Sequence, residues 1–491
     1  MRAIFGMCLM AGLAFGGSLA AQQPDAVQTK QYDDGGVYEG TFLNGLQHGT
    51  GTYRLPNGYE YTGDWVEGEI RGNGVARFPN GSVYEGQFQR GKPEGVGRIV
   101  FVDGGTYEGE WVDGKITGQG IAAYANGTRY EGGFLEAMHH GRGVMQSQSG
   151  YVYDGTWERG VKDGSARITY PDGAVYEGAV VRGAREGSGT LTMPDGLIYE
   201  GTWLDGQING EGKLTQPNGD IYEGTLVNGR REGQGSVTYA SGDSYVGAFA
   251  DDLRHGQGVF TGTDGYVYDG SWVAGQIDGQ GRVTYPDGSV YEGQFRADLP
   301  DGEGKITYPD GSTYEGGWSA GVIEGEGRAV YANGLVYEGT FREARNHGTG
   351  VMTYPDGYRY EGEWRDGQRH GQGIATYPDG TVYTGQFVQG QREGTGEIVM
   401  PDGFRYSGEW RQGEIDGRGT ATYANGDVYE GTFSAGRRQG EGTMRYASGQ
   451  EVSGVWQNGA PPTADDQVNA DPATDGTPDA TPDATPEVPA D

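Results

Sequence analysis

The sequence predicts an all-β protein, an elongated, single-layer, twisted antiparallel meander (solenoid-like) of about 18–19 β-hairpin repeats. Three observations carry that prediction. Tyr recurs with a step of 23 residues from Tyr38, Tyr61 and Tyr84 through to Tyr406 and Tyr429, without an insertion or deletion. Gly supplies 98 of the 491 residues, about three times its usual share of ~7%. A turn signal, Pro-Asp-Gly (171, 194, 286, 309, 355, 378, 401) or Asn-Gly (57, 80, 126, 218, 333, 425), recurs in the same frame. Such turns favour tight chain reversal between short strands.

Taken in order along the chain, residues 1–20 read as an export signal. Arg2 is the sole charge before Asp25, an apolar stretch follows, and Ser18-Leu19-Ala20 fits a cleavage site before Ala21. Cys8 is the only cysteine, so the mature chain has neither disulfides nor Cys-ligated metal. Residues 21–37 are expected to be a flexible leader. The repeats then run over 38–244 and 245–459, where Val452 opens a truncated last copy. Residues 460–491 are Pro, Thr, Ala and acid, without Lys or Arg, and are expected to stay disordered.

Within one copy, Tyr38, Gly40 and Phe42 alternate on one face of an extended strand. Leu43 to Gly49 is expected to be the loop, and the second strand starts at Gly51. In a later copy Gly304, Ile306 and Tyr308 supply the matching face. Glycines on that face leave room for a neighbouring ring to lie over the backbone. A single sheet can then build its apolar face from stacked Tyr, Phe and Trp.

A longer order lies above the repeat. All nine tryptophans fill the fifth position of a copy: Trp65, Trp111, Trp157, Trp203, Trp272, Trp318, Trp364, Trp410 and Trp456. They fall in every second copy, with one phase slip between Trp203 and Trp272. A shift of nine copies superposes the two sets and maps "GRREGQGSVTYASG" at Gly229 onto "GRRQGEGTMRYASG" at Gly436, so the array reads as a duplicated block. With no second layer to cover them, these nine rings are expected to stay partly accessible and to anchor a partner.

Charge and motifs narrow the function. The 36 bases and 69 acids give a net charge of -33; without Arg2 the balance is 35 against 69, or -34. Such a polyanion is repelled by nucleic acid and by anionic lipid surfaces. Arg185, Arg230, Arg231, Arg254, Arg345, Arg369, Arg392, Arg437 and Arg438 collect near one end of the hairpins, a mixed basic rim that suits an acidic partner or lipid headgroups. Five of the six histidines (48, 140, 255, 347 and 370) share one position, and only His347 and His370 lie in adjacent copies, which is no metal set. The Asp-Gly turns lack the nine-residue spacing of Ca²⁺-binding β-rolls. No Gly-Lys-Ser/Thr phosphate loop and no cofactor motif is present. Glu39, Glu85 and Glu108 begin an acidic file on the face opposite the aromatics, read as a solvated surface.

The pattern Tyr-Glu-Gly-x-Trp/Phe-x-x-Gly followed by a second pair of glycines, as in "YEGEWRDGQRHGQGIATYPDG" from Tyr360, resembles the MORN repeat family over residues 38–459. Departures are Val180 and Leu226 for the aromatic and Ala137, Asp252, Asp298 and Ala344 for the turn glycine. The resemblance implies a bacterial, secreted member made of repeats only. It also implies an elongated sheet that mediates protein assembly and dimerises through terminal repeats; lipid binding is attributed to some relatives. The expectation is therefore a non-catalytic extracytoplasmic scaffold, in the periplasm or secreted, that presents its aromatic face to a protein partner. The alternative is a module that binds membrane or glycan surfaces of the cell envelope.

Overall fold

The computed structural model describes residues 26–462; the expected export signal (1–20) and nearly all of the acidic tail lie outside them. Within that range every element is a β-strand, and the strands form one open antiparallel sheet of 38. The chain divides into two compact units, one running to Asn218 with Leu226–Gly229 and the other comprising Gly219–Thr225 and the chain from Arg230. Within each unit successive strands pair antiparallel, as Val37–Leu43 with Leu46–Arg54 and Leu46–Arg54 with Glu60–Val66.

The first copy shows how the sequence sets the geometry. Strands Val37–Leu43 and Leu46–Arg54 pair with Gly40 opposite Gly51, and the register then slips so that Phe42 faces Gln47. Thr41 faces three residues, His48, Gly49 and Thr50, so the extra residues of this β-bulge lie on the second strand. Asn44 and Gly45 have φ of 52° and 84°, as a two-residue type I′ turn requires. The expected Leu43–Gly49 loop is therefore two residues long, and the rest of it is strand. Val180 and Leu226, which replace the fifth-position ring, are fully buried in strands of ordinary length.

The hairpin connection at the other end is a three-residue loop. Gly58 N–H donates to Leu55 O at 3.1 Å, Leu55 N–H donates to Tyr59 O at 2.9 Å, and Gly58 has φ 91°. This is a type I turn closed by a left-handed glycine. Asn57 Oδ1 accepts from Tyr59 N–H at 3.0 Å, and Asp287 and Asp402 do the same at 2.8 Å. Asp and Asn recur there because their short acceptors reach the backbone two residues on.

One expectation changes at the N-terminus. Gln28–Gln31, placed in the flexible leader, form a strand antiparallel to Val37–Gly40. Their side chains are exposed, because the array needs a polar strand at this edge and not a core element.

Candidate interaction surfaces

The aromatic side is built on the first-position tyrosines. Tyr38, Tyr61 and Tyr84 are fully buried, and each ring lies over its Gly–Gly cross-strand pair. A Cβ on Gly51 would meet the Tyr38 ring at 2.5 Å, and one on Gly40 would meet the Cα of Gly51 at 2.6 Å. Tyr38 Oη donates to Thr41 O at 3.0 Å, so the bulge carbonyl finds its partner in the tyrosine below it. Burial pushes the Tyr38 phenol up to about 12. Its ring meets Phe42 of its own copy and Trp65 of the next edge-on, both at 5.1 Å between centroids. Such a pair contributes ~0.5–1.5 kcal/mol beyond area burial.

The nine tryptophans complete this core, and their expected accessibility is corrected. Trp65, Trp111, Trp157, Trp203, Trp272, Trp364, Trp410 and Trp456 are at most 6% exposed; Trp318 is half-buried. Every indole N–H points at a glycine carbonyl of the preceding copy, from Trp272 to Gly258 O at 3.0 Å to Trp157 to Gly143 O at 3.4 Å. The rings lie down along the sheet, edge-on to the tyrosine over that glycine and within reach of its carbonyl. The tryptophans thus tie successive copies together.

The basic rim is corrected too. Arg185, Arg231, Arg254, Arg369, Arg392 and Arg438 occupy the tenth position; across the hairpin Arg254, Arg369, Arg392 and Arg438 face a fifth-position ring and Arg185 faces Val180. Their guanidinium groups fold onto the aromatic side. Arg185 and Arg254 lie 3.9 and 4.0 Å from the rings of Trp203 and Trp272, and donate to Gly206 O and Gly275 O. These are cation–π lids on the core. Arg230, Arg345 and Arg437 remain at the rim, where Arg230 pairs with Asp251 at 2.9 Å.

The shared histidine position has a structural role. Side chains there accept from the turn amide of the next copy: Glu94 from Asp113 N–H at 2.7 Å, Asn209 from Asn228 N–H at 3.0 Å, His48 Nδ1 from Glu67 N–H at 3.4 Å. His139, one position earlier, stacks on Tyr130 at 3.7 Å, meets Trp157 edge-on and shares a 2.7 Å hydrogen bond with Tyr124 Oη. Burial lowers its pKa to about 4. Among the described residues no cluster of three or more His, Cys, Asp or Glu is placed to hold a metal. On the opposite face the glutamate file is laced with bases, as in Arg167–Glu177, Arg282–Glu292 and Arg328–Glu338 at 2.7–2.8 Å. These pairs are exposed and contribute little to stability.

Two exposed apolar files were missed from sequence. One is the tyrosine that precedes the Pro-Asp-Gly turn, at Tyr285, Tyr308, Tyr354 and Tyr377, with Tyr331 in the same frame before Ala-Asn-Gly. Tyr308 and Tyr331 are 38% and 39% exposed. The dipeptide Tyr-Pro before each turn is the signal that pointed to it. The other is the set of aliphatics flanking the two-residue turns, such as Leu204, Leu253 and Leu299. It is hidden in the sequence because these residues read as loop.

A one-layer sheet of hairpins, each held by a Tyr over paired glycines and a ring laid on the next copy, defines a tandem-repeat protein. The chain belongs to the MORN repeat family, whose profile matches eighteen copies from residues 38–58 to 429–451. Repeats of this family act as interaction or membrane-binding scaffolds. Alsin of Rattus norvegicus is 36% identical over 74 residues; the match covers 14% of this chain and spans only 4% of that protein. Among solved structures, the chain is similar to the SAS-4 (dCPAP) TCP domain of Drosophila melanogaster bound to a proline-rich motif of Ana2. Identity is 15% and the TM-score 0.21, over 44% of this chain and 99% of that one. The TCP10 domain of Danio rerio CPAP with a STIL peptide gives 14% identity and a TM-score of 0.16, over 59% and 97%. Scores this low support no functional argument.

Proposed function

We propose that this protein is a non-catalytic, extracytoplasmic scaffold whose aromatic side receives a protein partner. The observation that supports this reading is the tyrosine file of the second unit. Tyr285, Tyr308, Tyr331, Tyr354 and Tyr377 stand one per copy in five successive copies, and Tyr308 and Tyr331 are more than one-third exposed. Tyrosine offers a large ring at low entropic cost together with a polar tip, which suits it to recognition.

Pull-down from envelope extract with mature protein tests the reading. Tyr308→Ser with Tyr331→Ser should abolish capture and leave thermal unfolding unchanged; undiminished capture, or co-flotation with vesicles in its place, would reject it. Export is proposed from residues 1–20, and sequencing of the mature N-terminus should begin at Ala21. A homodimer through the strand Glu451–Trp456, whose outer edge pairs with no strand among the described residues, is part of the same proposal. Light scattering should report two chains for the wild type and one for Val455→Lys, which puts a charge in that strand.

A further inference from the structure

The rim of two-residue turns is not uniform. In the first unit several exposed aliphatics stand beside a charged turn residue: Val112 precedes Asp113, Val181 precedes Arg182 and Leu204 precedes Asp205. In the second unit Leu253 still follows the turn Asp251-Asp252, but the next three turns carry Ala274, Ala297 and Ala320 at their first position. Leu253, Val273, Leu299 and Val322 there are 44–48% exposed. The side chains bridge from copy to copy: a Cβ on Gly275 would meet Leu253 Cδ2 at 3.8 Å, and one on Gly321 would meet Leu299 Cδ2 at 3.6 Å. An apolar strip therefore runs across four successive copies, interrupted at the third turn by Arg296 and Asp298. It ends at Arg230, paired with Asp251, on one side and at Arg342 and Arg345 on the other.

The strip is flanked by acid. Asp278, Asp298, Asp301, Glu303, Glu324 and Glu326 lie on the same hairpin ends, against Arg296 as the single base between Val273 and Glu326 at those ends. Arg296 is held by Asp301 at 3.2 Å. The carboxylates are fixed at the turns, since Asp301 accepts from Ala320 N–H at 3.2 Å and Glu324 from Glu343 N–H at 3.0 Å. An apolar strip edged by fixed negative charge complements a surface with one apolar stripe and basic flanks. It repels anionic headgroups by the same charge.

We infer that the rim from Leu253 to Val322 is a second docking surface, built for a cationic amphipathic segment of a partner protein. It is independent of the tyrosine file, on the other turn side of the sheet.

The turn position supplies a safe perturbation. Arg90, Arg159 and Arg182 hold it in other copies with φ of 47–49°, and Ala274, Ala297 and Ala320 hold it with φ of 47–50°. The variant Ala274→Arg/Ala297→Arg/Ala320→Arg should therefore fold. Its control, Gln389→Arg/Gln412→Arg/Ala435→Arg, makes a closely similar change in net charge at the same turn position elsewhere. The probe is a synthetic Leu/Lys amphipathic helix read by fluorescence anisotropy against full mature protein. Wild type, the control triple and Tyr308→Ser/Tyr331→Ser should bind it alike, more weakly as salt rises, and the rim triple at least tenfold more weakly. A Leu/Glu peptide of the same apolar pattern should not bind. Equal binding by the rim triple, equal binding of the Leu/Glu peptide, or no binding at all would overturn the inference. So would vesicle binding, or wild-type self-association, that the rim triple removes.

Discussion

Trp410→Leu separates a tryptophan that holds copies together from one that waits for a partner. Trp410 is 4% exposed, its N–H donates to Gly396 O at 3.1 Å, and its ring lies edge-on to Tyr383 and Tyr406 at 5.1 and 5.6 Å. The Arg392 guanidinium sits 4.6 Å above it. Complete truncation of a buried Trp costs about 3–5 kcal/mol. Leu refills part of the volume, as Leu226 does at the equivalent position, but it restores neither the hydrogen bond nor the ring beneath Arg392. The expected loss is about 3 kcal/mol, and it should be local because repeat stability is a sum of copies and their interfaces. Amide exchange over residues 383–433 should speed up ~100-fold, with distant copies unchanged. Glu361→Gln, on the exposed face, should alter exchange by less than ~0.5 kcal/mol. If Trp410→Leu exchanges like wild type yet loses partner capture, the packing account is wrong and the ring is a docking surface.

Two further perturbations address the glycine pair and the buried histidine. A Cβ on Gly362 would meet Gly373 Cα at 2.5 Å and Gln372 O at 2.6 Å, whereas one on Gly373 would meet the Tyr360 ring. Gly362→Ala should thus cost about 3 kcal/mol and Gly373→Ala about 1 kcal/mol, since Ala166 is tolerated opposite Gly155 while Tyr153 Oη still reaches Thr156 O at 2.8 Å. Equal costs by local exchange would contradict the account of the tyrosine slot. His139 is folded in its neutral form with a pKa lowered to about 4. Its contribution is complete above the ordinary value near 6.5 and is lost as pH falls through about 4. Allowing for its partial exposure, exchange protection around residues 130–157 should fall by about 1–2 kcal/mol between pH 7 and 4. His139→Ile, with the residue that Ile116 and Ile208 supply at that position, should lack this dependence; an unchanged pH response would refute it.

The copies, their length and the turn at Pro-Asp-Gly or Asn-Gly were legible from residues because each is a local matter. A 23-residue step in Tyr fixes the period, period-2 alternation fixes the face of Gly40 and Phe42, and Pro-Asp-Gly fixes a reversal whatever the chain does elsewhere. The phenol slot was legible in outline, since glycines on an aromatic face imply a ring lying on backbone. What the sequence could not decide was what each side chain meets beyond its own hairpin. Trp272 and Trp410 read as exposed anchors because a single sheet has no second layer. Each ring in fact covers the preceding copy, and its N–H is drawn down by Gly258 O or Gly396 O. Arg185 and Arg254 read as a rim because charge belongs in water. Their long stems carry the guanidinium back over Trp203 and Trp272, where cation–π attraction and a carbonyl acceptor await. The second strand takes up the extra residues as a β-bulge, with His48, Gly49 and Thr50 opposite Thr41, so the expected seven-residue loop is a two-residue turn and Leu253 and Leu299 start strands. Local chemistry wrote the repeat, and contacts between copies, which no single copy encodes, decided which residues are core and which are left to meet a partner.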